Sequence, residues 1–158
     1  MVGDPTWIGR KLLRHCAGLR VRDCRLADAV AWSHAAAMNT AAVNFQEKFA
    51  RFREPWSPKV IAEMNDYQFK LVRLIGEFVW HHHADTDEVF IVIEGEMVLR
   101  FRDREVPLRA GELYVVPKGV EHQPFAAQEC KVMLVEPKGV VNTGAAGGTL
   151  TAPNDVWI

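Results

Sequence analysis

The chain is short of the features that would place it in several large protein classes. Its three cysteines, Cys16, Cys24 and Cys130, are odd in number, far apart and without CxxC spacing. That excludes a disulfide framework and a thiolate zinc site, and a reducing cytoplasm is the expected compartment. No uninterrupted apolar run approaches the roughly 20 residues of a membrane-spanning helix, so no membrane partner is expected. Neither sign of charge is in excess, with 19 Lys and Arg against 20 Asp and Glu. Such a balance gives no electrostatic case for nucleic acid or an anionic membrane as partner. At 158 residues the chain is long enough for one sizeable core and too short for two comfortable domains.

What the chain does have is a concentration of metal-ligating side chains. His81, His83 and Glu88 fall in one short stretch, and His122 follows a hairpin later. Residues two apart on a β-strand share a face, so His81 and His83 can converge while His82 points away, to packing or solvent. Glu88 follows the turn-like Ala84-Asp85-Thr86-Asp87 and opens the apolar run Val89-Phe90-Ile91-Val92-Ile93. At the head of such a run a carboxylate is expected to be buried, which is costly without a partner, and a metal resolves that cost. Three nitrogens with one or two oxygens suit a divalent transition metal, Fe, Mn, Ni, Co, Cu or Zn, better than Ca or Mg. Gly95, Gly111, Pro117 and Gly119 mark the turns that bring these strands together.

These spacings resemble the two short motifs of the cupin superfamily. The first, two histidines one apart, a glutamate and a later glycine, is met by His81, His83, Glu88 and Gly95; the second by Gly111, Pro117, Gly119 and His122. Two departures are visible, and neither removes a ligand. Gly76 stands one residue closer to the first histidine than the usual pattern, and Ala126 occupies a place where asparagine is common. Beyond the motifs, Trp56 to Ile158 is similar to small single-domain bacterial cupins of the mannose-6-phosphate isomerase-like group, whose role is generally unassigned. The resemblance implies an all-β double-stranded β-helix, or jelly roll, and a metal on His81, His83, Glu88 and His122. It also implies a homodimer.

The organisation changes character near Met38. Residues 1–37 mix arginine, leucine and alanine without turn punctuation, with a helix expected from about Leu26 to Ala37. The arginines suit a transit peptide, but Asp4, Asp23 and Asp28 do not. The expectation is a natural start at Met38, with 1–37 a poorly ordered or wrongly assigned extension and 38–158 a single barrel domain. Phe45, Phe49 and Phe52 at helical spacing predict a short helix that packs on the barrel and stops before Pro55. Strands are expected at Lys59–Met64 and Tyr67–Leu74 around an Asn65-Asp66 turn. Others follow at Trp80–His83, Glu88–Ile93, Met97–Arg102, Glu105–Leu108, Leu113–Val116, His122–Phe125 and Cys130–Val135. The terminal Trp157-Ile158 is expected to dock on a body, since large apolar groups gain nothing in water.

Three histidines and a carboxylate fill four positions of an octahedron and leave two for a small molecule, water or oxygen. Two functions follow from that. One is a metal-dependent enzyme acting on a small oxygen-rich metabolite by isomerase- or dioxygenase-type chemistry; the other is a sugar- or metabolite-binding module anchored by the metal. No general base stands out. Gln68, Lys70, Tyr67 and Glu121 are the polar residues expected nearest the pocket, with Lys70 read as a solvated strand residue. Phe78, Phe90, Met97, Leu99 and Leu113 are the expected apolar lining.

Overall fold

The computed structural model describes residues 41–158, so the expectations for 1–37 fall outside the described residues. A short helix, α1 (Phe45–Phe49), precedes seven strands: β1 (Lys59–Met64), β2 (Tyr67–Glu77), β3 (Glu88–Glu94), β4 (Glu96–Phe101), β5 (Glu105–Arg109), β6 (Leu113–Val116) and β7 (His122–Pro137). All described pairings between strands are antiparallel, as the all-β jelly roll requires.

The strand β7 organises the sheet. Its first residues pair with β4, Phe101 opposite His122, and its later ones with β3, Val89 opposite Val135. Along its other edge it runs against β2, from Glu77–Phe125 to Tyr67–Pro137. The expected strands His122–Phe125 and Cys130–Val135 are therefore one. Exposed Ala127, Gln128 and Glu129 mark where the interior alternation breaks, near register shifts in the pairing with both β2 and β3. Such shifts bend and twist a strand. The bend lets one strand serve two neighbours on the same side, so the sheet curls around a single apolar cluster. Val72 and Leu74 of β2, Phe90 and Val92 of β3, Met97 and Leu99 of β4 and Val132 and Leu134 of β7 all join that cluster.

A smaller cluster lies on the outer face of β2. Phe49 and Phe52 pack there with Ile61 and Leu71, and Phe45, Ile93 and Ile158 lie against them. The phenylalanine stripe is thus core packing, as its spacing predicted. Asn44 starts α1 by accepting from Glu47 N at 3.1 Å, supplying a partner for a backbone donor that the helix cannot satisfy itself. At the other end Arg73 donates to Phe49 O at 2.8 Å and to Phe52 O at 3.1 Å. The C-terminal segment then lies parallel to β1, with Val60 N donating to Val156 O at 2.7 Å and Ile158 N to Val60 O at 3.2 Å. Docking of the tail is as expected for Ile158, while the Trp157 ring stays exposed.

Three sequence expectations need correction. Trp80–His83 is not a strand; it touches the sheet by a single bridge, His81 to His122. Lys70 is buried rather than solvated, because it shares the inner face of β2 with Gln68, Val72 and Leu74. Leu113 is exposed and lines nothing, since the β3–β6 register leaves Val116 as the buried residue of β6.

Gly95 is the single residue between β3 and β4, at φ +86°, and a Cβ there would meet Glu129 O at 2.9 Å and Cys130 Cα at 3.2 Å. The left-handed backbone alone costs a non-glycine residue about 1–2 kcal/mol, and the backbone contacts add to it. Gly95→Ala should lower stability by at least about 2 kcal/mol in urea unfolding; an unchanged midpoint would show that the turn relaxes freely.

Candidate metal centre

The centre is assembled at one end of the inner sheet faces. His122 opens β7 and Glu88 opens β3, and the backbone of His81 exchanges hydrogen bonds with that of His122 at 3.0 and 2.9 Å. This bridge brings the His81–His83 segment over the sheet. His81, His83, Glu88 and His122 are all buried, while His82 is exposed, so alternation holds without a strand. The His81 and His122 ring centroids are 4.3 Å apart, and those of His81 and His83 are 5.2 Å apart. Glu88 lies among them, its Oε2 at 3.2 Å from His122 Nε2 and 3.4 Å from His83 Nε2.

The ring orientations carry the chemistry. His81 Nδ1 lies 3.0 Å from Val79 O and His122 Nδ1 lies 3.1 Å from Val120 O. A carbonyl oxygen only accepts, so each Nδ1 is the protonated nitrogen and each neutral ring turns a bare Nε2 lone pair toward the centre. For His122 that lone pair faces a carboxylate oxygen, acceptor against acceptor, in a buried space. His83 Nε2 is buried with no hydrogen-bond partner. A cation among these atoms converts each repulsion into a bond, so the residues present fit a divalent transition metal. Ligand atoms of His81, Glu88 and His122 lie within 4.8 Å of one another, and so do those of His83, Glu88 and Glu136. Glu88 belongs to both groups and joins them.

Electrostatics follow the same arrangement. Burial lowers the His81 imidazole to about 4. Burial opposes the charge of Glu88, but the His122 and His83 rings beside it hold its carboxyl below the usual range. Burial alone would lower His83, but the Glu88 carboxylate 3.4 Å away raises it instead.

Of the four polar residues expected near the pocket, two come close. Gln68 and Lys70 are buried, whereas Tyr67 is 46% exposed and Glu121 is an exposed partner of Arg102 at 2.7 Å. The residue that sequence reading missed is Glu136, buried and joined to Lys70 Nζ at 2.9 Å. Its signal was available: Val132, Leu134 and Glu136 continue the inward alternation of β7, one step past the predicted strand end at Val135. A cavity borders His81 and Glu88, walled by Trp56, Phe78, Phe90, Pro124 and Asn142. Trp56 and Phe78 stack at 4.7 Å along it.

Comparison with known proteins places this architecture. A family model described as a cupin domain matches residues 73–136. A cupin-2 domain containing protein from Shewanella frigidimarina, of solved structure, is 63% identical, with 65% of this chain and 100% of that chain covered and a TM-score of 0.62. Uncharacterized protein YdbB of Bacillus subtilis is 42% identical over 79 residues, 49% of this chain and 64% of that protein. A 3-hydroxyanthranilate 3,4-dioxygenase of Xanthomonas campestris is 37% identical over 60 residues, 35% of this chain and 34% of that protein. The chain thus spans less than two thirds of these curated relatives.

The His81 shift fixes a pH dependence. An unfolded histidine takes a proton near pH 6.5, while folded His81 takes one only near pH 4. The unfolded state binds more protons between those values, so His81 makes stability fall as pH falls through that window. Glu88, held low, acts with the same sign at lower pH, and His83, held high, acts with the opposite sign. In the metal-stripped protein His81→Gln should therefore flatten the loss of urea stability between pH 6.5 and 4. A slope equal to that of the unsubstituted protein would show that His81 titrates normally.

Proposed function

The chain belongs to the cupin superfamily, and from that premise we propose that it binds a divalent transition metal through His81, His83, Glu88 and His122. The proposed function is metal-dependent isomerase- or dioxygenase-type chemistry on a small oxygen-rich metabolite. The observation that carries the reading is the pair of Nε2 lone pairs, on His81 and His122, fixed toward a buried carboxylate by Nδ1 bonds to backbone carbonyls. Such an ion, when bound, supplies Lewis-acid polarisation of an oxygen ligand, with redox chemistry added if it is Fe, Mn or Cu.

The remaining contributions come from the chain itself. The backbone carbonyls of Val79 and Val120 hold two imidazoles in one orientation, so little reorganisation is needed on binding. Trp56, Phe78 and Phe90 exclude water from the His81 side and strengthen every electrostatic interaction there. The dioxygenase variant draws support from the segment shared with proteins named 3-hydroxyanthranilate 3,4-dioxygenase. The second reading, a non-catalytic binding or sensing module, draws support from the cavity walls, where Asn142 is the polar side chain besides His81 and Glu88.

Protein purified without added metal should contain a transition metal by elemental analysis. Substituting His81, His83 or His122 by Ala should weaken its binding by at least about tenfold, and His82→Ala should leave it unchanged. Turnover in a screen of sugars, uronates and enediols, with and without oxygen, should disappear on chelation and return with one ion. Equal metal loss at His82 would sink the proposed ligand set, and tight ligand binding without turnover would favour the sensing module.

The same reading includes a homodimer, supported by an open edge of the sheet. The tail and α1 cover β1 and Ile93 within the chain, but β6 pairs only with β3 among the described strands. Its Leu113 and Val115 are 58% and 44% exposed, and soluble proteins normally cover such edges. Light scattering coupled to size exclusion should give the mass of two chains at micromolar concentration. The mass of one chain would overturn the dimer.

A further inference from the structure

A second buried carboxylate faces the same centre. Glu136 is the last inward-facing residue of β7, set opposite Gln68 of β2, and its residue is 1% exposed. Its Oε1 accepts from Lys70 Nζ at 2.9 Å, while its Oε2 is buried without a hydrogen-bond partner. His83 Nε2 is buried and unpartnered too, and the ligand atoms of His83, Glu88 and Glu136 lie within 4.8 Å of one another. The other contacts of Lys70 Nζ are Val140 O at 3.5 Å and Asn154 Oδ1 at 3.4 Å. An ammonium bound to one oxygen of Glu136 fixes the carboxylate plane and leaves the other oxygen free. That free oxygen and the free His83 nitrogen belong to one cluster with Glu88, which is also part of the His81–His122 group.

We propose that Glu136 is a further ligand of the metal centre, adding a second carboxylate beside His83 and Glu88, with Lys70 as the residue that positions it. The proposal rests on the metal-binding reading above. Its consequence bears on the substrate. Five protein donors leave one position of an octahedral ion open, so an incoming molecule binds through a single oxygen rather than as a chelate. The cavity that borders His81 and Glu88 reaches neither His83 nor Glu136, which line separate clefts.

The test measures affinity of metal-stripped protein for Zn(II) alone, and separately for Mn(II), by competition with a chromophoric chelator. Glu136→Gln should weaken binding by at least about tenfold, as loss of a group at the metal does. The double variant Lys70→Met with Glu136→Leu removes one charge of each sign, so the local net charge is unchanged and any loss reports a lost donor. It should weaken binding to the same extent. Lys70→Met alone should weaken binding, though less than Glu136→Gln does, because the carboxylate remains but loses the ammonium that fixes its plane. Unchanged affinity in the double variant, folded by circular dichroism and cooperative melting, with binding lost in His83→Ala, would make Glu136 only the counterion of Lys70. If the double variant does not fold, Glu136→Gln decides by the same criterion. Retention of metal by His81→Ala, His83→Ala and His122→Ala would instead overturn the four-ligand reading itself.

Discussion

The structure turns on the burial of electron-pair donors with too few protons to share. Glu88 and the three histidines are buried together with Gln68, Lys70 and Glu136, and two of the rings have spent their only proton on a backbone carbonyl. Removing such groups from water costs several kcal/mol unless each finds a partner. In the reading proposed above, a cation at the centre supplies that partner. The composition of the site, nitrogen-rich with hard oxygen beside it, is what a transition ion satisfies and a proton satisfies poorly.

The fold supports that concentration by spending its regular hydrogen bonds elsewhere. β7 saturates three neighbouring strands, and its bend closes the sheet over one core. The outer face of β2 is sealed separately by α1 and the tail, with Arg73 meeting the open carbonyls after the helix and pairing with Glu129 at 2.6 Å. Because the shell is satisfied without them, the inner ends of β2, β3 and β7 are free to carry polar groups. Glu88, His122, Glu136, Lys70 and Gln68 all stand at those ends, and the loop holding His81 and His83 lies over them.

The inner polar groups are also graded by partner. Lys70 and Glu136 pair directly, and burial with the nearby charge of Glu88 pushes the Glu136 carboxyl upward while Lys70 pulls it down. Cys130, by contrast, is raised to about 12 by burial and the charges of Glu96 and Glu94. A thiol so far from ionising is packing rather than a ligand, and Cys130 is the one cysteine among the described residues.

The sequence alone determined the periodic features. Alternation put His81 and His83 inward and His82 outward, the helical spacing of Phe45, Phe49 and Phe52 made a packing stripe, and Asn65-Asp66 and Gly95 marked turns where side chains or Cβ atoms are restricted. These are local properties, set by backbone geometry within a few residues. The burial of Lys70 and the partnership with Glu136 were not legible, because 66 positions separate the two in the chain. Only the β2–β7 register brings them together. In isolation Lys70 reads as solvated, since burying an ammonium is unfavourable until a carboxylate is supplied. The same holds for the single bridge that replaces an expected strand at Trp80–His83, and for β1, whose edge is filled by residues from the far end of the chain. Local pattern fixed which side chains turn inward, and the tertiary pairing decided which of them meet, because a buried charge is tolerable only beside a partner that the fold delivers.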